Sequence, residues 1–115
     1  MQWARGRLGL PYRWGGAGPA SYDCSGLTMR AWAQAGVYLP HSSRLQYAQG
    51  AKISYSSLRP GDLIFYATNT ANPATIHHVT MYIGGGMMIE APYTGANVRI
   101  VPVRRTGSMP YAARP

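Results

Sequence analysis

Negative charge is scarce in this 115-residue chain: Asp23, Asp62 and Glu90 stand alone against ten arginines and one lysine, a formal balance of +8. Each acid is therefore worth asking about individually. Cysteine is scarcer still. Cys24 has no second thiol to pair with, so no internal disulfide can form, and one thiol fits a reducing or an oxidising compartment equally well. No apolar run approaches the roughly 20 residues a membrane-crossing helix needs. No apolar core follows the charged start Met1–Arg7, so an export signal, if the protein is exported, is expected outside this sequence. Internal repeats and low-complexity tracts are missing. The arginines are scattered from Arg5 to Arg114, without the dense tract or motif of a specific nucleic-acid binder. Their summed field should still attract polyanions, whether nucleic acid or an anionic cell envelope, with Arg99, Arg104 and Arg105 expected among the exposed residues that carry it.

Hydrophobic residues make up 46% of the chain, enough for one domain with a real core and too short a chain for two. The front half reads as helical. Trp3 to Leu8 resembles the end of a helix, and Leu10–Gly16 is a rigid aromatic turn. Leu27, Ala31 and Ala35 form one apolar stripe of a helix closed by Gly36. A shorter helix over Arg44–Gln49 is expected to be capped by Ser42 or Ser43. The back half reads as strands. Arg59-Pro60-Gly61-Asp62 has the residues of a type II turn, with Asp62 a turn-stabilising acceptor. Leu63–Tyr66 follows as a buried strand and Ala67–Ile76 as a loop. His78–Ile83 and Met87–Ala91 pair as a hairpin across three glycines, and Val98–Val103 is a further strand. The fold class is α+β: N-terminal helices packed on a small antiparallel sheet.

Cys24 taken alone reads as a small buried hydrophobe. Its polar neighbours Asp23 and Ser25, and the glycine-rich loop before them, argue instead for an exposed helix start. There the unpaired N–H groups and the positive end of the helix dipole favour thiolate. The hairpin sets His78, early in one strand, near Glu90, late in the next, so that the acid can orient an imidazole. Packing of the sheet on the Cys24 helix can then bring that ring to the thiol. Spacing does not choose between His77 and His78, because strand neighbours point to opposite faces. The same geometry disfavours a metal site made of His77, His78 and Glu90, and no metal or cofactor is expected.

Five ordered segments, Gly9–Gly16, Asp23–Leu27, Leu39–Gln46, Arg59–Phe65 and His78–Gly84, together resemble the NlpC family of bacterial cell-wall cysteine peptidases over about residues 6–103. The Glu90-Ala91-Pro92 ending is similar to that of actinobacterial peptidoglycan endopeptidases of cell separation. The resemblance implies a minimal papain-like fold and hydrolysis of peptidoglycan stem peptides, commonly between D-glutamate and diaminopimelate. It makes Cys24 the nucleophile, His78 the base, Glu90 the third member and Tyr12 a hydroxyl near the thiol that polarises the scissile carbonyl. Asp23, Ser25, Ser42 and Arg44 fall at the substrate cleft, Asp23 for a positive group and Arg44 for carboxylates. It also implies a secreted or wall-associated monomer with no membrane or specific nucleic-acid partner, and possible contact with anionic wall polymers. Two other readings compete: a catalytically inactive basic module that binds wall or nucleic acid on the same fold, and a same-fold amidase or acyltransferase.

Overall fold

The structure is a computed structural model and describes residues 2–115; Met1 lies outside the described residues. Three α-helices, α1 (Gln2–Arg5), α2 (Cys24–Ala33) and α3 (Ser43–Gln49), precede the whole of the sheet. The strands are β1 (Ala51–Ile53), β2 (Leu63–Ala67), β3 (Ile76–Gly84), β4 (Met87–Glu90), β5 (Arg99–Pro102) and β6 (Ala112–Arg114). They form one antiparallel sheet in the order β1-β6-β2-β3-β4-β5. This is the expected α+β layout.

Continuous burial of Leu63–Ala67 explains why β2 reads as an unbroken apolar run: it is central and covered on both faces. Leu63, Phe65 and Ala67 join Val79, Met81 and Ile89 in the larger core, which includes Leu27 and Ala31 of α2 and Tyr47 of α3. Ile64 and Tyr66 face the other way, onto Met88 and Ala112. Truncating a fully buried residue such as Phe65 costs about 3–5 kcal/mol in a core of this kind.

Local signals set the helix ends. The Asp23 carboxylate accepts from the Gly26 N–H at 2.7 Å and caps α2, which begins at Cys24 and ends at Ala33, short of the expected Ala35 and its closing Gly36. Ser42 caps α3 by accepting from Leu45 N–H at 3.3 Å. Gly26 is required by space, because a Cβ there would lie 2.0 Å from the Gly16 carbonyl oxygen. The start of α2 is thereby pressed onto the preceding loop.

The turn at Arg59–Asp62 forms as its residues indicate. Gly61 has φ +100°, Asp62 N–H donates to Arg59 C=O at 3.0 Å, and the Asp62 side chain accepts from Arg59 N–H at 2.8 Å. The helix expected over Trp3–Leu8 is shorter, ending at Arg5. The expected loop 67–76 contains a 3₁₀ turn at Pro73–Thr75 and gives its first residue to β2 and its last to β3. Strands β1 and β6 are additions. They pair with each other, and β6 is tied to the turn by Arg114, which donates to both Asp62 oxygens at 2.8 Å.

Candidate active site

Strand register assembles the histidine and its acid. His78 lies across from Tyr66 on β2, and Glu90 lies across from Arg99 on β5. Between them, Met81 pairs with Ile89 and Tyr82 with Met88, which sets Glu90 diagonal to His78 on one face of the hairpin. His78 Nε2 and Glu90 Oε1 are 2.8 Å apart, with the acid fully buried and the histidine side chain 8% exposed. The Tyr66 ring lies 5.7 Å from the imidazole, centroid to centroid.

Glu90 has two more partners. Arg99 Nε donates to its Oε2 at 3.0 Å, and Arg104 donates to both oxygens at 3.2 and 2.9 Å. Burial pushes the carboxyl up, but hydrogen bonds and charge from His78 and Arg104 outweigh it and hold the group at about 2. Glu90 is thus a fixed anion that orients the ring through Nε2 and leaves Nδ1 free. Arg99 and Arg104 are partners of this acid and not free wall-facing charges. Arg105 lies 3.4 Å over the Tyr55 ring and donates to Ser108.

The thiol occupies a different cleft, of about 570 Å³, lined by Tyr12, Asp23, Cys24, Ser25, Ser42 and Arg44 together with His41 and His77. All the expected cleft residues therefore meet there. Helix α2 crosses β3, and the strand reaches the sulfur through the backbone N–H of Val79, next to His78. Among the described residues no hydrogen bond joins the thiol to either imidazole. His77 is exposed and lines the thiol cleft. His78 lines the adjoining cleft, which His77 also borders.

The helix start does not leave the resting thiol acidic. Burial raises the Cys24 pKa most, and the Asp23 charge adds to it. Backbone N–H groups of Val79, Ser25 and Cys24 act in the expected direction without prevailing. The Tyr12 hydroxyl is likewise raised, by burial and by its neighbours Cys24 and Asp23.

Asp23 is more heavily engaged than an open cation contact would be. Besides capping α2 it accepts from Gly15 N–H at 2.9 Å and from Ser25 Oγ at 3.4 Å, and it pairs with His41 Nε2 at 2.8 Å. Ser42 serves as the α3 cap, and Arg44 Nε donates to the Ile76 carbonyl at 3.3 Å while its side chain borders the cleft. The position of His41 after Pro40 gave no sign of Asp23, eighteen residues away. Gln46 was not singled out either, yet its buried amide ties α3 to α2 through Thr28 and the Ser25 carbonyl.

A model described as the NlpC/P60 family matches residues 9–114. The peptidoglycan endopeptidase RipA of Mycolicibacterium smegmatis is 43% identical over 121 residues, covering 94% of this chain and 23% of that protein. The chain spans about a quarter of the length of such curated relatives. Solved structures of the resuscitation-promoting-factor-interacting protein RipA, mutated singly at a cysteine, a histidine or a glutamate, superpose with TM-score 0.85. They are 39–40% identical and cover 96% of this chain and 57% of theirs. RipD of Mycobacterium tuberculosis, described as a non-catalytic NlpC/p60 domain adapted to peptidoglycan binding, superposes at 0.83. It is 35% identical, with 96% of this chain and 90% of that one covered.

Proposed function

The chain belongs to the NlpC/P60 family, and from that premise we propose a peptidoglycan hydrolase: a cysteine endopeptidase of stem peptides, cutting between D-glutamate and diaminopimelate. The observation that carries this reading is the buried His78–Glu90 pair at 2.8 Å, with His78 on the strand whose next N–H, that of Val79, faces the thiol of Cys24. The histidine and glutamate mutated in the RipA structures lie twelve positions apart, as do His78 and Glu90.

Burial raises the thiol pKa and disfavours a preformed thiolate, so His78 acts as a general base. Nδ1 takes the Cys24 proton as sulfur attacks the amide carbon; the contact closes with substrate in place, as catalytic hydrogen bonds commonly do. The carbonyl electrons move to oxygen, where the Cys24 backbone N–H at the helix start and the Tyr12 hydroxyl stabilise the charge. Collapse breaks the C–N bond, and the imidazolium gives its proton to the leaving amine. Water, deprotonated by His78, then cleaves the thioester and restores the thiol. Glu90 keeps the ring oriented and stabilises its charged form. Asp23, with His41, positions the start of α2; Ser25, Ser42 and Arg44 meet the peptide. The protein acts as a monomer, secreted or associated with the wall, and its basic surface holds it near anionic wall polymers.

Mass spectrometry of defined muropeptides, incubated with the wild type and with Cys24→Ala, tests the proposal. The expected result is two fragments split at one stem-peptide amide, absent with Cys24→Ala. Adsorption without any fragment would place this chain with the RipD-like binding domains. Amide transfer or release of an amide not within the stem would make it an acyltransferase or amidase.

A further inference from the structure

The cleft next to the thiol cleft lends the mechanism above its His78 ring, and the rest of its lining has no role there. It has a volume of about 530 Å³ and is lined by Tyr66, His77, His78, Tyr93, Arg99 and Arg104, with Pro92, Thr106 and Gly107. Its charge does not balance. Arg99 and Arg104 share the single carboxylate of Glu90, and their side chains are still 42% and 41% exposed. The chain has only two other acids. Asp23 is committed to His41 and the α2 cap, and Asp62 to Arg114. One guanidinium charge therefore faces the cleft with no protein anion to meet it. Both guanidiniums are held by aromatic rings, Arg104 4.5 Å from the Tyr66 centroid and Arg99 5.7 Å from that of Tyr93. Arg104 turns Nη1 and Nη2, and Arg99 turns Nε and Nη2, onto Glu90, which leaves Arg99 Nη1 and Arg104 Nε as charged donors for a further carboxylate.

The position relative to the chemistry names the occupant. The nucleophile stands in one cleft, and the imidazole that protonates the leaving amine borders the other. The half of the substrate carrying that amine must extend past the imidazole. We propose that this second cleft is the subsite for a carboxylate on the amine-side half of the substrate, held by Arg99 and Arg104 with Tyr93 as its wall. This rests on the endopeptidase reading for the identity of the substrate, but the anion site itself does not.

The test compares two muropeptides that differ only in a free or an amidated carboxylate next to the leaving amine. The wild type should favour the free acid by about tenfold in kcat/KM, mostly through KM, as loss of a charge-assisted hydrogen bond predicts. In Arg99→Gln the preference should fall toward one. A purely structural role through Glu90 would lower kcat for both substrates and keep the ratio. Equal kinetics for both peptides in the wild type, or an unchanged ratio in Arg99→Gln, overturns the subsite. In a separate arm, meso-diaminopimelate and inorganic phosphate are titrated into Cys24→Ala and followed by NMR. Saturable shifts with diaminopimelate at Tyr93, Arg99, Thr106 and Gly107 support the site even if neither peptide is cleaved, in which case only the endopeptidase reading falls. Shifts confined to the Cys24 cleft, no saturation, or tighter binding of phosphate overturns it.

Discussion

The protein holds two carboxylate–imidazole pairs, Asp23–His41 and Glu90–His78, each closed at 2.8 Å through Nε2, and they are built in opposite ways. Asp23 is fastened chiefly by its own neighbourhood, through the N–H groups of Gly15 and Gly26, and its histidine is 31% exposed. Glu90 is fastened by side chains brought from other strands, with no exposed surface of its own. A carboxylate satisfied by backbone donors fixes where a helix starts. A carboxylate satisfied by two guanidiniums and an imidazole is an electrostatic element that no neutral side chain can replace. In the proposed mechanism the first pair positions the thiol and the second supplies the base.

Breaking each side of this comparison should give graded effects. Cys24→Ala and His78→Ala should abolish cleavage while leaving the fold intact by circular dichroism, and Cys24→Ser should be nearly as inactive. His77→Ala should keep most of the activity. If the His77 variant is the dead one, the ring bordering the thiol cleft is the base, and the role of Glu90 becomes structural.

Glu90→Gln comes next. It should slow turnover by about 10–10⁴-fold and lose on the order of 3 kcal/mol in urea unfolding, because two guanidiniums lose their buried counter-charge. Asp23→Asn keeps an acceptor for the α2 cap. It should cost about 1 kcal/mol or less and slow turnover far less than Glu90→Gln. Equal losses at the two sites would erase the distinction between them.

Acid titration sharpens the same contrast. The folded Glu90 carboxyl sits at about 2, below its value in the unfolded chain. Its stabilisation is therefore complete above the unfolded carboxyl range of about 4.3 and is lost as pH falls through about 2. Glu90→Gln should flatten that acid limb of the unfolding curve. On the alkaline side, alkylation of the free thiol should titrate above the ordinary cysteine range of about 8.5, since burial raises Cys24. A midpoint below that range would mean a preformed thiolate–imidazolium pair.

Salt gives the smallest effect. Cleavage of intact sacculi should fall with salt more than cleavage of a soluble muropeptide, because exposed charges are screened within about 10 Å at 0.1 M. Neutralising Arg5, Arg13 and Arg59, which are exposed and pair with none of the three acids, should imitate salt on sacculi only. Equal sensitivity of both substrates would end the wall-targeting role.

What could be read from the chain follows the range of the interactions. Helix α3, the type II turn, the buried β2 run and the β3–β4 hairpin rest on signals within a few residues, and they stand where expected. The His78–Glu90 pairing was legible because a hairpin turns sequence spacing into register. Strands β1 and β6 were not legible. Each is three residues long, and their pairing spans half the chain. Arg99 and Arg104 looked like surface charge because nothing local announces a shared buried acid. The thiol was misjudged for a related reason: the helix-start N–H groups are local and visible, whereas the burial that outweighs them comes from packing against β3.

The central claim is that Glu90 acts on the reaction only through His78, and a double-mutant cycle measures it directly. kcat/KM for a defined muropeptide is determined for the wild type, Glu90→Gln, His78→Ala and the double variant, with residual rates followed by mass spectrometry. If the acid works through the ring, adding Glu90→Gln to His78→Ala costs nothing further, and the double variant matches His78→Ala. Losses that multiply would contradict the account and give Glu90 a role independent of the imidazole.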